Sequence, residues 1–203
     1  MTFYDAKKAA KAVLKNNLGE AILVSLIYSI ALSILASVAG IGALLFGSLA
    51  LICYYYCLIQ ASINNKFKID DLFKPIDGTS LGSRIALSVL KNLYLSLWSL
   101  LFIIPGIIKS YSYMLAELIS LQHPEMTASE CITESRRLMD GHKMNMFVLR
   151  LSFIGWDLLC ILTFGIGYIF LNPYIQQTNI EYINANIMPL KDVQTVVEEQ
   201  KWK

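Results

Sequence analysis

Charge is what this sequence has least of. Only 16% of its 203 residues are Asp, Glu, Lys or Arg, against about 25% in an ordinary soluble domain. The shortage is uneven, and from Ala21 to Asn65 there is no charged residue at all. A hydrocarbon core of about 30 Å is crossed by roughly 20 helical residues, so this run is too long for one span and fits two spans and a turn. It lacks the alternating period of a barrel, and only helices or closed barrels satisfy their backbone in lipid. The basic excess is small too: 17 Lys and Arg against 15 Asp and Glu give a net charge of +2, which makes no case for nucleic-acid binding.

Chemistry-bearing patterns are equally sparse. Cys53, Cys57, Cys131 and Cys160 form no CxxC and no Cys/His cluster, so they read as small apolar filler and no metal site is expected. His123 and His142 lack ligand spacing. No Walker or dinucleotide-binding pattern stands in a usable context, so no cofactor is expected. Gly78-Thr79-Ser80-Leu81-Gly82 matches G-x-S-x-G literally. A nucleophile elbow needs a strand before it and a sheet around it, so Thr79 or Ser80 reads as a helix cap. With no nucleophile–base pair visible, no catalytic residue is assigned and enzyme activity is not expected. The N-terminus shows no signal-peptide cleavage pattern.

What the chain has in plenty is apolar sequence, 56% of it, in a pattern resembling one unit used three times. Each unit opens with a basic amphipathic stretch, continues as an apolar helix, breaks at glycine or proline, and returns through a helix carrying tyrosines. The breaks are Gly40-Ile41-Gly42, Pro105-Gly106 and Gly165-Ile166-Gly167, residues that suit a tight corner. This predicts an all-α polytopic bundle of about six spans in three helical hairpins, with cytoplasmic amphipathic helices. Its parts are an N-terminal amphipathic helix at 1–19, a first hairpin at 20–63, a loop at 64–91, a second hairpin at 92–122, a cytoplasmic helix at 123–145, a third hairpin at 146–187 and a polar helical tail at 188–203. The corners carry no Lys or Arg, whereas the segments between units carry nearly all of them. By the positive-inside rule both termini and both long loops lie in the cytoplasm. Thr127-Ala128-Ser129-Glu130 fits a capping box for a helix with Cys131, Ile132, Leu138 and Met139 as its apolar stripe, ended at Gly141.

Ser135-Arg136-Arg137-Leu138-Met139-Asp140-Gly141, Leu151-Ser152-Phe153-Ile154-Gly155-Trp156, Gly165-Ile166-Gly167, Pro173-Tyr174 and Ile104-Pro105-Gly106-Ile107-Ile108-Lys109-Ser110-Tyr111 together resemble the DUF975 family. The resemblance implies a bacterial plasma-membrane protein of uncharacterised activity and brings no catalytic residues with it.

Polar residues inside apolar segments are the candidate site. Asp157 lies about ten residues into the fifth span, where a carboxylate costs about 2.5–3.5 kcal/mol on insertion scales. Arg150, seven residues earlier, shares its face and can approach it through a water or snorkel to the interface. Lys109 and Glu117 share a face of the fourth span, the first directed to the outer interface and the second to the inner one. Asn172 and Gln176 make the sixth helix polar. Trp98 and Trp156 read as packing residues, and Tyr54, Tyr55 and Tyr56 as packing or interface residues. Membrane lipids are the expected partners. Three functions fit: first, a non-enzymatic interaction or regulatory protein that docks a membrane or cytoplasmic protein; second, a carrier or channel for a small solute or lipid using the polar core; third, a membrane-shaping or lipid-sensing protein whose hairpins act as wedges.

Overall fold

A computed structural model describes residues 1–37, 41–64, 66–76, 81–101 and 103–190. Among these residues it is all-helical, without strands. The Gly40 break, the Thr79 and Ser80 caps and the tail beyond Leu190 fall outside the described residues.

Helix α1 runs Phe3–Ser37. It starts on a reciprocal cap in which Thr2 N donates to Asp5 at 3.0 Å and Asp5 N donates back to the Thr2 hydroxyl. Asn17 leaves helical geometry (φ −132, ψ 27) and separates a basic first part from an apolar second part whose single charge is Glu20. In that second part Ser29 and Ser33 satisfy their hydroxyls on the carbonyls four residues back, both at 2.8 Å. Helix α2, Ile41–Asn64, contains Gly42 in its first turn and closes the first hairpin. Two 3-10 turns, Ile69–Leu72 and Lys74–Ile76, lead toward α3, Leu81–Leu101. Helices α4, Ile103–Ser112, and α5, Ala116–Gln122, form the return arm, broken at Tyr113–Leu115. Helix α6, Ala128–Leu138, crosses beneath. The third hairpin is α7, Lys143–Leu151, with α8, Ile154–Leu162, returning through α9, Tyr168–Asn186.

The all-helical expectation is met among the described residues, and two details differ from the sequence reading. Pro105 and Gly106 do not make the second corner; α4 already begins at Ile103. A proline in the first helical turn forfeits no bond, because those N–H groups have no intrahelical acceptor. Gly106 instead lets α3 and α4 touch, since a Cβ there would lie 2.7 Å from Ser99 Oγ and 3.2 Å from Ser99 Cα. The second lead-in is also not a separate helix, because α3 is continuous from Leu81.

By length and composition Asn17–Leu35, Phe46–Asn64 and Lys143–Leu162 suffice to cross a membrane. The other three arms are marked by Arg84 and Lys91 in α3, the break before α5, and the amides of α9.

The buried core lies at one end, the base. Ala6, Ala10 and Val13 pack there, as do Tyr54, Tyr55 and Tyr56 together with Leu118, Ile132, Met139 and Ile180. The apolar face of the N-terminal stretch is therefore spent inside the protein, with Phe3 against Tyr182 at 5.4 Å. The corners are the reverse: Leu100, Ile104, Leu158, Ile161, Leu162 and Ile166 are large, apolar and exposed. Trp156 is more than half exposed, whereas Trp98 is exposed over about a third of its surface.

Candidate functional site

The buried charge sits between the first two hairpins. Glu117 on α5 is 1% exposed and Lys91 on α3 is 15% exposed, and their Nζ and Oε1 are 2.5 Å apart. The Ser48 hydroxyl of α2 donates to the same Oε1 at 3.1 Å, while Ser48 N donates to Ser88 Oγ of α3 at 3.2 Å. The helices are built to meet here. Lys91 is the sole charge between Arg84 and Lys109, and Glu117 the sole acid between Asp77 and Glu125. Buried charges persist only when paired, so each fixes the other's helix. Among the described residues, Glu117 Oε2 has no hydrogen-bond partner. Lys91, Ser48 and Ser88 were absent from the sequence candidates. The two isolated charges of opposite sign were the signal that could have found the pair.

The remaining candidates do not converge on this cluster. Lys109 does not pair with Glu117; its Nζ rides 4.5 Å over the Trp98 ring, a cation–π contact one face of an exposed tryptophan allows. Arg150 reaches Asp157 directly, with guanidinium bonds of 2.8 and 3.4 Å, so no bridging water is required. Asn172 and Gln176 are only half-buried. The inward amide of α9 is Gln177, fully buried, which donates to Glu181 Oε1 at 3.0 Å; the Ser62 hydroxyl of α2 donates to that oxygen at 2.7 Å.

The base is electrostatically ordinary. The capping box on α6 forms as the spacing predicts: Glu130 N donates to Thr127 Oγ1, and Thr127 N donates to the Glu130 carboxylate at 2.7 Å. These bonds hold the Glu130 carboxyl below its usual range. Arg137 does the same for Glu134, at 2.5 Å. Burial pushes the Cys131 thiol up to about 11, away from thiolate chemistry. Gly141, at φ +79, stands just beyond α6 as its terminator.

The third corner is the most unusual part of the chain. It is apolar from Leu158 to Leu171 except for Thr163, and Phe164 at its apex is 97% exposed. Phe164 and Gly165 both have positive φ, 52 and 85, which is ordinary for glycine and costly for phenylalanine. Yet its backbone donors are all accommodated. Thr163 N bonds Leu159 O, Phe164 N bonds Ile161 O, Gly165 N bonds Cys160 O and Ile166 N bonds Thr163 O. Gly167 N donates to the Thr163 hydroxyl at 3.1 Å, and that hydroxyl donates to Cys160 O at 2.9 Å. Tyr168 through Leu171 bond back to Gly165, Ile166 and Gly167. Every N–H from Thr163 to Leu171 thus has an acceptor within the corner itself.

These features define a helical-hairpin protein with an ion-paired, close-packed base and bare apolar corners, three of whose helices are long and apolar enough to cross a membrane. Residues 100–187 match the family model of DUF975, a protein of unknown function. The match takes in the second corner and the whole third hairpin. No curated protein and no solved structure matches the chain.

Proposed function

We propose that this chain is a non-enzymatic membrane-shaping or lipid-sensing protein, anchored by its first hairpin and inserting the corners of the second and third as wedges into one leaflet. The carrying observation is the third corner. A loop facing water has no need to satisfy its own donors and is ordinarily polar. A loop in hydrocarbon must satisfy them internally, and this one does while presenting Ile161, Leu162, Phe164 and Ile166 outward.

The depth follows from chain geometry. Lys7 of the basic N-terminal stretch lies 4.2 Å over the Phe153 ring and donates to Ser152 O at 3.4 Å. Phe153 in turn meets Tyr174 edge-on at 5.5 Å. Lys8, Lys11 and Lys15 of the same stretch are exposed, so this contact belongs at the aqueous interface. From Phe153 to Phe164 is eleven residues, or about 16 Å at 1.5 Å per residue. That is roughly half of a 30 Å hydrocarbon core, so with Phe153 at the interface the corner enters one leaflet, although the whole of Lys143–Leu162, were it embedded, is long enough to cross.

The apolar faces of the N-terminal stretch and of α6 are buried within the chain, which counts against their use as docking surfaces. A polar path keeps one supporting observation, the unpartnered Glu117 Oε2. The test is a single cysteine at the apex, Phe164→Cys, in a background with the four native cysteines replaced. It resists an impermeant maleimide in intact cells and in permeabilised cells, and labels once the membrane is dissolved. Ready labelling from the outside would establish a full crossing and end the wedge reading.

A further inference from the structure

The first part of α1 is an amphipathic helix whose apolar face is already taken. Ala6, Ala10, Val13 and Leu14 are buried in the base, none more than 6% exposed. An interfacial helix ordinarily sinks that face into lipid; here the protein occupies it. The opposite face carries Lys8, Lys11 and Lys15. At roughly 100° per residue these three fall within an arc of about 60°, turned away from the buried residues. All three are exposed, and none forms a hydrogen bond or ion pair among the described residues. The nearby acid, Asp5, is committed to its own helix cap, 2.6 Å from the Thr2 hydroxyl and 3.0 Å from Thr2 N. Tyr4, 73% exposed, stands one turn before Lys8 on the same face, and tyrosine suits a membrane–water interface.

Two fixed points set the level of this stretch. Lys7 holds Ser152 O and the Phe153 ring at the interface. Ten residues on, Asn17 opens the first apolar segment, Asn17–Leu35. A helix running straight on from that segment would carry Lys7 about 15 Å beyond the bilayer. With both ends at the interface the stretch lies along it, and the departure from helical φ/ψ at Asn17 supplies the bend. A helix at that depth with one side on protein turns its other side to the headgroups. Unpartnered lysines there repel one another and attract anions.

We infer that the face of Lys8, Lys11 and Lys15 binds the anionic phospholipid headgroups of the leaflet that holds the wedges. The inference deepens the lipid-sensing reading and rests on it, since Phe153 at the interface sets the level of Lys7. Because the apolar face is occupied, the contact is electrostatic alone: it reads the charge of the leaflet and not its packing. Lys7 belongs to the same helix and grips the joint between α7 and α8. The helix that reads charge thus also holds the hairpin that inserts.

The test uses the purified full-length chain in phosphatidylcholine bilayers with a trace of spin-labelled phosphatidylglycerol or phosphatidylcholine. The motionally restricted fraction of each label gives the preference for one lipid over the other. The wild type prefers phosphatidylglycerol. Lys11→Gln/Lys15→Gln lowers the preference, by up to about fivefold per lysine, and Lys11→Arg/Lys15→Arg retains it. High salt removes most of it, because exposed charges are screened. The control pair, Arg137→Gln/Lys143→Gln, removes the same charge from the base, where Lys143 stands ten residues, or about 15 Å, before Phe153; it leaves the preference unchanged. Equal losses in the two Gln pairs, no preference in the wild type, or a preference that persists in high salt would each overturn the inference. Labelling of Phe164→Cys by an impermeant maleimide in the same bilayers separates the two readings. A protected apex with a preference unmoved by the Lys11 and Lys15 pair overturns the lysine face alone, whereas a labelled apex overturns the wedge and the level assigned to Lys7 with it.

Discussion

Replacing Lys91 by methionine strips the buried Glu117 carboxylate of its counter-ion and leaves it the Ser48 hydroxyl alone. Glu117 is 1% exposed, so it gains almost no water in exchange. Removing one partner of a buried pair costs about 3–5 kcal/mol, or roughly 6–20 °C in melting temperature for a chain of this size. Glu117→Gln should cost less, about 1.5–3 kcal/mol, because the amide still accepts from Ser48 and Lys91 has some exposure of its own. In the double variant no unpaired buried charge remains, so its loss should fall well below the sum of the single losses, by a coupling of at least about 1.5 kcal/mol. Thermal unfolding in mild detergent measures this, followed by the reactivity of the buried Cys53 and Cys57 thiols on the neighbouring α2. Single variants that melt with the wild type, or a strictly additive double variant, would refute the claim that this pair fixes the second hairpin to the first.

Other outcomes follow from named contacts. Gly167→Ala should cost about 1–3 kcal/mol, because its Cβ would stand 2.7 Å from Cys160 Sγ and 3.1 Å from Cys160 Cα and force α8 from α9; Gly155→Ala, with nothing within 4 Å, is the neutral control in the same melting assay. Thr127→Ala should remove about 1 kcal/mol by uncapping α6, read as faster amide exchange in its first turn. The Glu130 carboxyl is held low in the folded chain, so its contribution is complete above the ordinary carboxylate range and is lost as pH falls through the depressed value. Glu130→Gln should therefore flatten that part of a stability-against-pH curve by lowering the neutral plateau and leaving the acid end nearly unchanged. Asp157→Asn should lower stability by no more than about 1 kcal/mol, because Arg150 is half exposed and keeps its water when the pair is lost.

The helical class was legible because long uncharged apolar runs admit little else, and the α6 cap because Thr127 and Glu130 stand at the one spacing that closes a box. Corner positions were less so. Pro105 and Gly165 look alike as helix breakers, but Gly165 sits in the turn at φ +85 while Pro105 sits within the first turn of α4. A proline's missing donor matters only where a helix would have used it. The site was half legible. Asp157 and Arg150 share a helix face, so periodicity found them, and they do bond. Lys91 and Glu117 lie on different helices, and no within-helix period reports a partner across a hairpin. Trp156 shows a related gap: a tryptophan in an apolar run gives no sign of whether its face meets protein or the surroundings, and here it looks outward.

The wedge is the central claim, and the position of Phe164 in the bilayer tests it most directly. A nitroxide on Phe164→Cys, with companions at Phe153 and Leu158, reports depth through the balance of oxygen and polar-relaxant accessibility in reconstituted bilayers. The account predicts that depth increases steadily from 153 through 158 to 164, with the apex near the bilayer centre. An apex open to the polar relaxant, with the deepest position at 153 near the middle of the Lys143–Leu162 stretch, would mean that the third hairpin crosses the membrane and would contradict the account.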